Sequence, residues 1–456
     1  MTSSTQTSST SLRAIVDQAW PMFIAQLAIV ASSGIDTAMA GRLSATDLAG
    51  VALGTNVYVS IYIAFMGVVT AVGPIAGHHF GAGRMHAIGH DVGQALWLAA
   101  VFSVVGIALL LWTDPWFALA KAPVEVSRIT DNYLLAVAVG LPGALGARVF
   151  VALNSAVSRP RITMAINLVA LALKIPLNWL FMHGVGPLPA LGGAGCGVAT
   201  AVLSWLTIAL SFAVWRLDPY FARFRAHHIL RLRSPEWDSQ RELLKLGIPI
   251  GIAILFEVSS FTFMGILIAR LGAETLGAHQ IVANVISILF MVPLSIGFAG
   301  SALVAQSLGA GRPRDARRVV MRALQLTLVL ALSLSTLVWL ARGPIVDLYT
   351  RDPAVVNIAA GLIVWGTAFH LFDALQGVAF QTLRGYKVAT APMLIYGVCL
   401  WGIGIGGGFQ MAYSVTPFGE PMGATGFWSA AVVSLACAAA LLASLLIFVS
   451  SRRTRQ

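Results

Sequence analysis

Charge is what this chain has least of. Asp, Glu, Lys and Arg make up only 10% of its 456 residues, while hydrophobic residues make up 58% and mean hydropathy is +0.83. A soluble domain carries about a quarter charged residues, so the soluble globular class is excluded and a polytopic membrane protein remains. Cysteine is scarce as well. Cys196, Cys399 and Cys437 are odd in number and lie in or beside apolar segments, so neither a disulfide framework nor a metal site follows. No Gly-Lys-Ser/Thr phosphate loop is present, which argues against direct ATP drive. The start also lacks the basic-then-apolar order of a cleaved signal. Met1–Leu12 reads as a Ser/Thr-rich cytoplasmic tail before an uncleaved first helix.

What is present is a series of long apolar runs. Charged or Gly/Pro-rich breaks divide them into twelve spans, at 14–38, 46–76, 90–113, 130–153, 161–183, 194–216, 241–268, 275–307, 317–341, 355–380, 390–413 and 424–450. About twenty residues suffice to cross a bilayer, so the longer runs are tilted, kinked or project beyond the lipid. The net charge of +11 is a topology signal and not a nucleic-acid one. Of the 29 basic residues, 21 fall in one alternate set of connectors and tails, six in the other set, and Arg148 and Lys174 fall inside spans. By the positive-inside rule both termini and the long middle loop are cytoplasmic, which demands an even number of spans.

The chain also repeats itself. Sliding it along itself until Pro21 meets Pro249 aligns Pro21–Arg84 with Pro249–Arg312 without a gap, giving 17 identities in 64 positions. Asn56-Val57 meets Asn284-Val285, and Gly81-Ala-Gly-Arg84 meets Gly309-Ala-Gly-Arg312. The expected architecture is all-α, with two six-helix lobes at 1–216 and 241–456 joined by a basic cytoplasmic linker at 217–240. Each half begins on the same side, so the repeat is parallel, with an axis along the membrane normal.

The short motifs within these halves then become familiar. Asp36-Thr-Ala-Met-Ala-Gly-Arg-Leu-Ser44 is followed by Leu48 and Asn56; the second half carries Ala278-His-Gln-Ile-Val-Ala-Asn284 and Leu383-Arg-Gly-Tyr386. From Trp20 to Phe448 the chain resembles the multidrug and toxic compound extrusion (MATE) family, in its bacterial NorM-like branch. The resemblance implies a transporter and not an enzyme, exporting cationic or amphiphilic drugs by antiport with Na⁺ or H⁺. It implies a functional monomer in the bacterial inner membrane, with the lipid bilayer and small-molecule drugs as partners, no nucleic acid and no cofactor beyond the coupling ion. An alternative in the same superfamily is a flippase or exporter of a lipid-linked or polyprenyl substrate, which would want a strongly cationic cavity. A polytopic membrane enzyme is a further alternative, with no reason to show two parallel halves.

Four ionisable groups stand well inside spans: Asp36, Lys174, Glu257 and Asp373. Each is expensive in lipid and is a functional candidate by default. Glu257 sits among about twenty uncharged residues, with Ser260 and Phe261 on its face and Pro249 eight residues before it. His370, Asp373 and Gly377 share one helical face; His370 reads as a packed, hydrogen-bonded core histidine, with a group titrating near neutrality as the alternative. Glu257 and Asp373 together suit a hard cation such as Na⁺, or a shared proton. They match the family's second-lobe cation site. Asp36, Asn178 and Thr200 match the first-lobe polar cluster, with Asp36 a further coupling candidate. Lys174 departs from the uncharged amide expected there. An ammonium reaching Asp36 would take the place of a metal ion and make that lobe proton-switched. Gln280 and Phe261 match family substrate positions; Asn56 is a polar candidate in the cleft, and Asp352, in an external connector, resembles another contact.

Overall fold

The computed structural model describes residues 11–120, 123–224, 234–415 and 420–455. The Ser/Thr tail up to residue 10 and the basic residues Lys121, Arg225, Arg231 and Arg233 lie outside the described residues. Among those described there is helix and no strand, and twelve helices are long and apolar enough to cross a membrane. They are Leu12–Leu43, Ala45–Gly81, Met85–Leu111, Val124–Ala156, Pro160–His183, Ala194–Leu217, Trp237–Leu271, Ala273–Gly309, Pro313–Leu340, Pro353–Gly385, Thr390–Tyr413 and Ala424–Arg455, and they are called the first to twelfth spans below. Helices are what such a sequence must form, because lipid offers no partner for a free N–H or C=O.

Two spans differ internally from the expectation. The second, expected as one helix over 46–76, is a helix Ala45–Val69 and a second helix Val72–Gly81, with Thr70 capping the first. Pro74 explains the break: it has no N–H to give the carbonyl of Thr70, and its ring crowds that carbonyl. The eleventh span holds an eleven-residue π-helical run, Gly397–Gly407, between α-helical ends. The Ser434 hydroxyl donates to the Cys399 carbonyl inside this run at 2.7 Å. Pro21, Pro142, Pro176, Pro249 and Pro293, by contrast, all lie inside continuous helices.

The chain divides into two compact units, one of Ile24–Gly251 and one of Met1–Phe23 with Ile252–Gln456. Each division falls within a helix that opens a repeat, just after Pro21 and just after Pro249. Ile24 and Ile252, where the units change, are equivalent positions of that repeat. Within the Ile24–Gly251 unit the fourth and sixth spans approach closely through glycine. A Cβ at Gly140 would lie 2.6 Å from Ala201 Cα, and one at Gly143 would lie 2.9 Å from the Ser204 carbonyl carbon. Small residues at a helix crossing permit the backbone approach that drives association in lipid. That crossing helps fix the sixth span, which carries Thr200.

Candidate functional site

The Ile24–Gly251 unit gathers Asp36, Lys174, Asn178 and Thr200 from the first, fifth and sixth spans. Lys174 Nζ donates to Asp36 Oδ2 at 2.9 Å and to Thr200 Oγ1 at 2.7 Å. Asn178 Nδ2 donates to the other carboxylate oxygen, Asp36 Oδ1, at 2.7 Å. Thr200 passes its own hydroxyl hydrogen back to the Cys196 carbonyl at 2.8 Å. The fifth span presents Lys174 and Asn178 on one face because they are four residues apart. Lys174 is among the most deeply buried large side chains, at 1% exposure. The cluster is therefore an ion pair, neutral in sum, with both carboxylate oxygens engaged.

The second unit gathers a different set. Gln376 Nε2 donates to Glu257 Oε1 and to Asp373 Oδ1, each at 3.0 Å, so the two acids are joined through one nitrogen. The Tyr396 hydroxyl donates to Gln376 Oε1, which fixes the amide with its nitrogen toward the acids. Tyr396 is the last α-helical residue before the π-helical run, and π segments inside helices are frequent at functional sites. Among the described residues no Lys, Arg or His pairs with either acid. This cluster carries uncompensated carboxyl groups, where the first is already neutral.

The MatE family model matches the chain twice, over residues 21–180 and 249–409. The two matches begin at Pro21 and Pro249, the same two positions that open the internal repeat. The chain belongs to the MatE family. It is 40% identical to a probable multidrug resistance protein NorM of Aromatoleum aromaticum, over 95% of this chain and 93% of the relative. It is 35% identical to the multidrug resistance protein PmpM of Pseudomonas aeruginosa, over 98% and 93%. Its fold is similar to that of the Vibrio cholerae MATE transporter VcmN in the bent form, with a TM-score of 0.83 at 19% identity, covering 98% of this chain and 100% of that one.

The remaining sequence candidates of this MatE protein are placed as follows. Phe261 lies in an aromatic cluster, with ring centroids 5.8 Å from His279, 5.9 Å from Phe369 and 6.3 Å from Trp428. Gln280, next to His279 in the eighth span, and Asn56 in the second are exposed. Asp352 is exposed and caps the tenth span, its carboxylate accepting from Ala354 N at 3.0 Å, a local role that needs no ligand. His370 is buried as expected, but both its ring nitrogens lack a hydrogen-bond partner among the described residues, which corrects the expectation of a hydrogen-bonded core histidine. The Ser260 hydroxyl is spent on the Glu257 carbonyl at 2.9 Å, as small hydroxyl residues in membrane helices commonly are.

Two members of the second cluster escaped the sequence reading. Gln376 lies three residues after Asp373, a spacing that puts both on one face, and that signal could have found it. Tyr396 had no comparable signal, since a lone Tyr in an apolar run reads as packing. Arg148, inside the fourth span, donates to the Tyr62 hydroxyl and lies 5.6 Å from that ring's centroid.

Proposed function

We propose that this MatE transporter exports cationic or amphiphilic drugs across the bacterial inner membrane by antiport, with the inward-moving cation bound at Glu257 and Asp373. The observation that carries this is the acid pair held by Gln376 without a basic partner among the described residues. Two carboxylates in low dielectric cannot both stay ionised cheaply. One H⁺ or one Na⁺ between them removes that cost, so the pair is built to bind a single cation and to release it when the surroundings change. The names of the NorM and PmpM relatives support drugs as the substrate.

In this reading the chain forms two six-helix lobes at 1–216 and 241–456, joined by the basic linker at 217–240, with both termini cytoplasmic, and it alternates between two facing states. The cation favours one facing state and the drug the other, and each shifts the equilibrium only through its difference in affinity. Phe261, Gln280 and Asn56 are the proposed drug contacts, aromatic faces attracting organic cations, with Asp352 a further contact at the outer side. Asp36, with Lys174, Asn178 and Thr200, forms the polar cluster of the first lobe. The protein works as a monomer.

The test is drug efflux from proteoliposomes under an imposed pH gradient and then an imposed Na⁺ gradient. Either gradient drives efflux in the wild type, and Glu257→Gln and Asp373→Asn each lower the driven rate by at least about tenfold, in keeping with loss of a charged group that must bind the ion. Efflux driven by neither gradient refutes antiport; driven efflux surviving both substitutions refutes the assigned site.

A further inference from the structure

We infer that Lys174 determines ion specificity in the first half: its ammonium is a tethered cation that occupies the Asp36 cluster and excludes Na⁺ from it. The inference starts from position. Lys174 stands well inside the fifth span, more than two turns from either end, where an ammonium is costly unless it is paired. Its Nζ finds Asp36 Oδ2 at 2.9 Å and Thr200 Oγ1 at 2.7 Å. These are the oxygens a hard monovalent ion would need, since such ions are bound by carboxylate, hydroxyl and carbonyl oxygens.

The charge balance points the same way. One carboxylate and one ammonium sum to zero, and the second carboxylate oxygen is taken by Asn178 Nδ2 at 2.7 Å. A Na⁺ entering would meet Lys174 at contact distance with no further acid to offset it, because no other Asp or Glu is hydrogen-bonded or ion-paired within the cluster among the described residues. The Glu257–Asp373 cluster is the opposite case, carrying two acids and a neutral amide.

Removal of the ammonium would leave both of the oxygens it holds open. With Lys174→Gln, the new amide oxygen joins Asp36 Oδ2 and Thr200 Oγ1, and no cation of the chain remains among them. The substitution turns an occupied site into an open one.

The inference rests on the proposed coupling role of Glu257 and Asp373 only in that both are neutralised in the test. Binding of ²²Na⁺ is measured on the purified full-length protein, without transport. In Glu257→Gln/Asp373→Asn, Na⁺ binding is expected to be absent and to stay so when Asp36→Asn is added. Adding Lys174→Gln to the double variant should raise Na⁺ affinity by at least about tenfold, since one unit of repulsion at contact distance has gone, and Asp36→Asn should abolish that gain. Lys174→Arg, which keeps the charge, should show none.

Two results overturn the inference: Asp36-dependent Na⁺ binding with Lys174 intact, or a folded Lys174→Gln protein that gains no Na⁺ binding. The first needs no Lys174 variant and decides the matter even where Lys174→Gln does not fold. Failure of the antiport reading shows instead as gradient-independent efflux, which this assay does not measure.

Discussion

At Gln376 one side chain amide does three things at once, and each is separable by substitution. Its nitrogen serves Glu257 and Asp373, and its oxygen accepts from Tyr396. Hydrogen bonds to charged groups contribute about 1.5–3 kcal/mol each, and donors aimed at a carboxylate stabilise it without its cation. Gln376→Leu should therefore hold the coupling cation more tightly and release it more slowly. In proteoliposome efflux the half-saturating ion concentration should fall by at least about tenfold, and the maximal rate should fall with it. Tyr396→Phe loses only the bond that orients the amide and should shift the same constant in the same direction by about 1 kcal/mol or less. A rise in the half-saturating concentration in either variant would mean that Gln376 ligates the cation directly. At this scale the sequence pointed to the charges that the structure gathers into two clusters and was silent about what joins them. An acid in an apolar run announces itself by its cost, and so Asp36, Glu257 and Asp373 stood out. A neutral Gln costs much less, and so Gln376 did not.

Elements were legible where hydrophobicity sets them and obscure where local geometry does. Twelve apolar runs became, among the described residues, twelve helices long and apolar enough to cross a membrane, because the bilayer leaves the backbone no other fold here. The break at Thr70 before Pro74 was not foreseen, although five other prolines lie within helices that continue through them. A proline marks a lost hydrogen bond, but neighbouring helices decide whether the chain breaks or continues. The π-helical run at Gly397–Gly407 left no trace either, since an unbroken apolar and glycine-rich stretch has no period to read. The crossing of the fourth and sixth spans gives the element-scale prediction. Gly143→Val places a side chain against the Ser204 backbone, where a Cβ alone would stand at 2.9 Å, and overpacking of this kind costs about 1–3 kcal/mol. Gly93→Ala, in the third span with nothing within 4 Å of its Cβ, should be neutral or stabilising by about 0.4–1 kcal/mol. Thermal unfolding in detergent distinguishes them, with Gly143→Val melting below the wild type and Gly93→Ala at or above it. Equal melting temperatures would remove the crossing as a determinant of stability.

For the whole molecule, the repeat and the charge bias make one joint claim about orientation. A family model that matches twice, from Pro21 and again from Pro249, means that the halves share a fold, and an even number of spans per half makes them parallel. Equivalent connectors of the two halves must then face the same side of the membrane. The 21 basic residues in one set of connectors and tails predict that this set faces the cytoplasm. Glu125 opens the fourth span and Leu348 precedes the tenth, both exposed and both in the basic-poor set; Arg314 is exposed at the start of the ninth span, in the basic-rich set. In a protein with Cys196, Cys399 and Cys437 replaced by Ala, Glu125→Cys and Leu348→Cys should react with a membrane-impermeant maleimide added to intact spheroplasts. Arg314→Cys should react only after the membrane is opened. Labelling of Arg314→Cys alone in intact spheroplasts would keep the parallel repeat and reverse the orientation. Labelling of Glu125→Cys without Leu348→Cys would break the repeat itself, because two parallel halves cannot place these connectors on opposite sides.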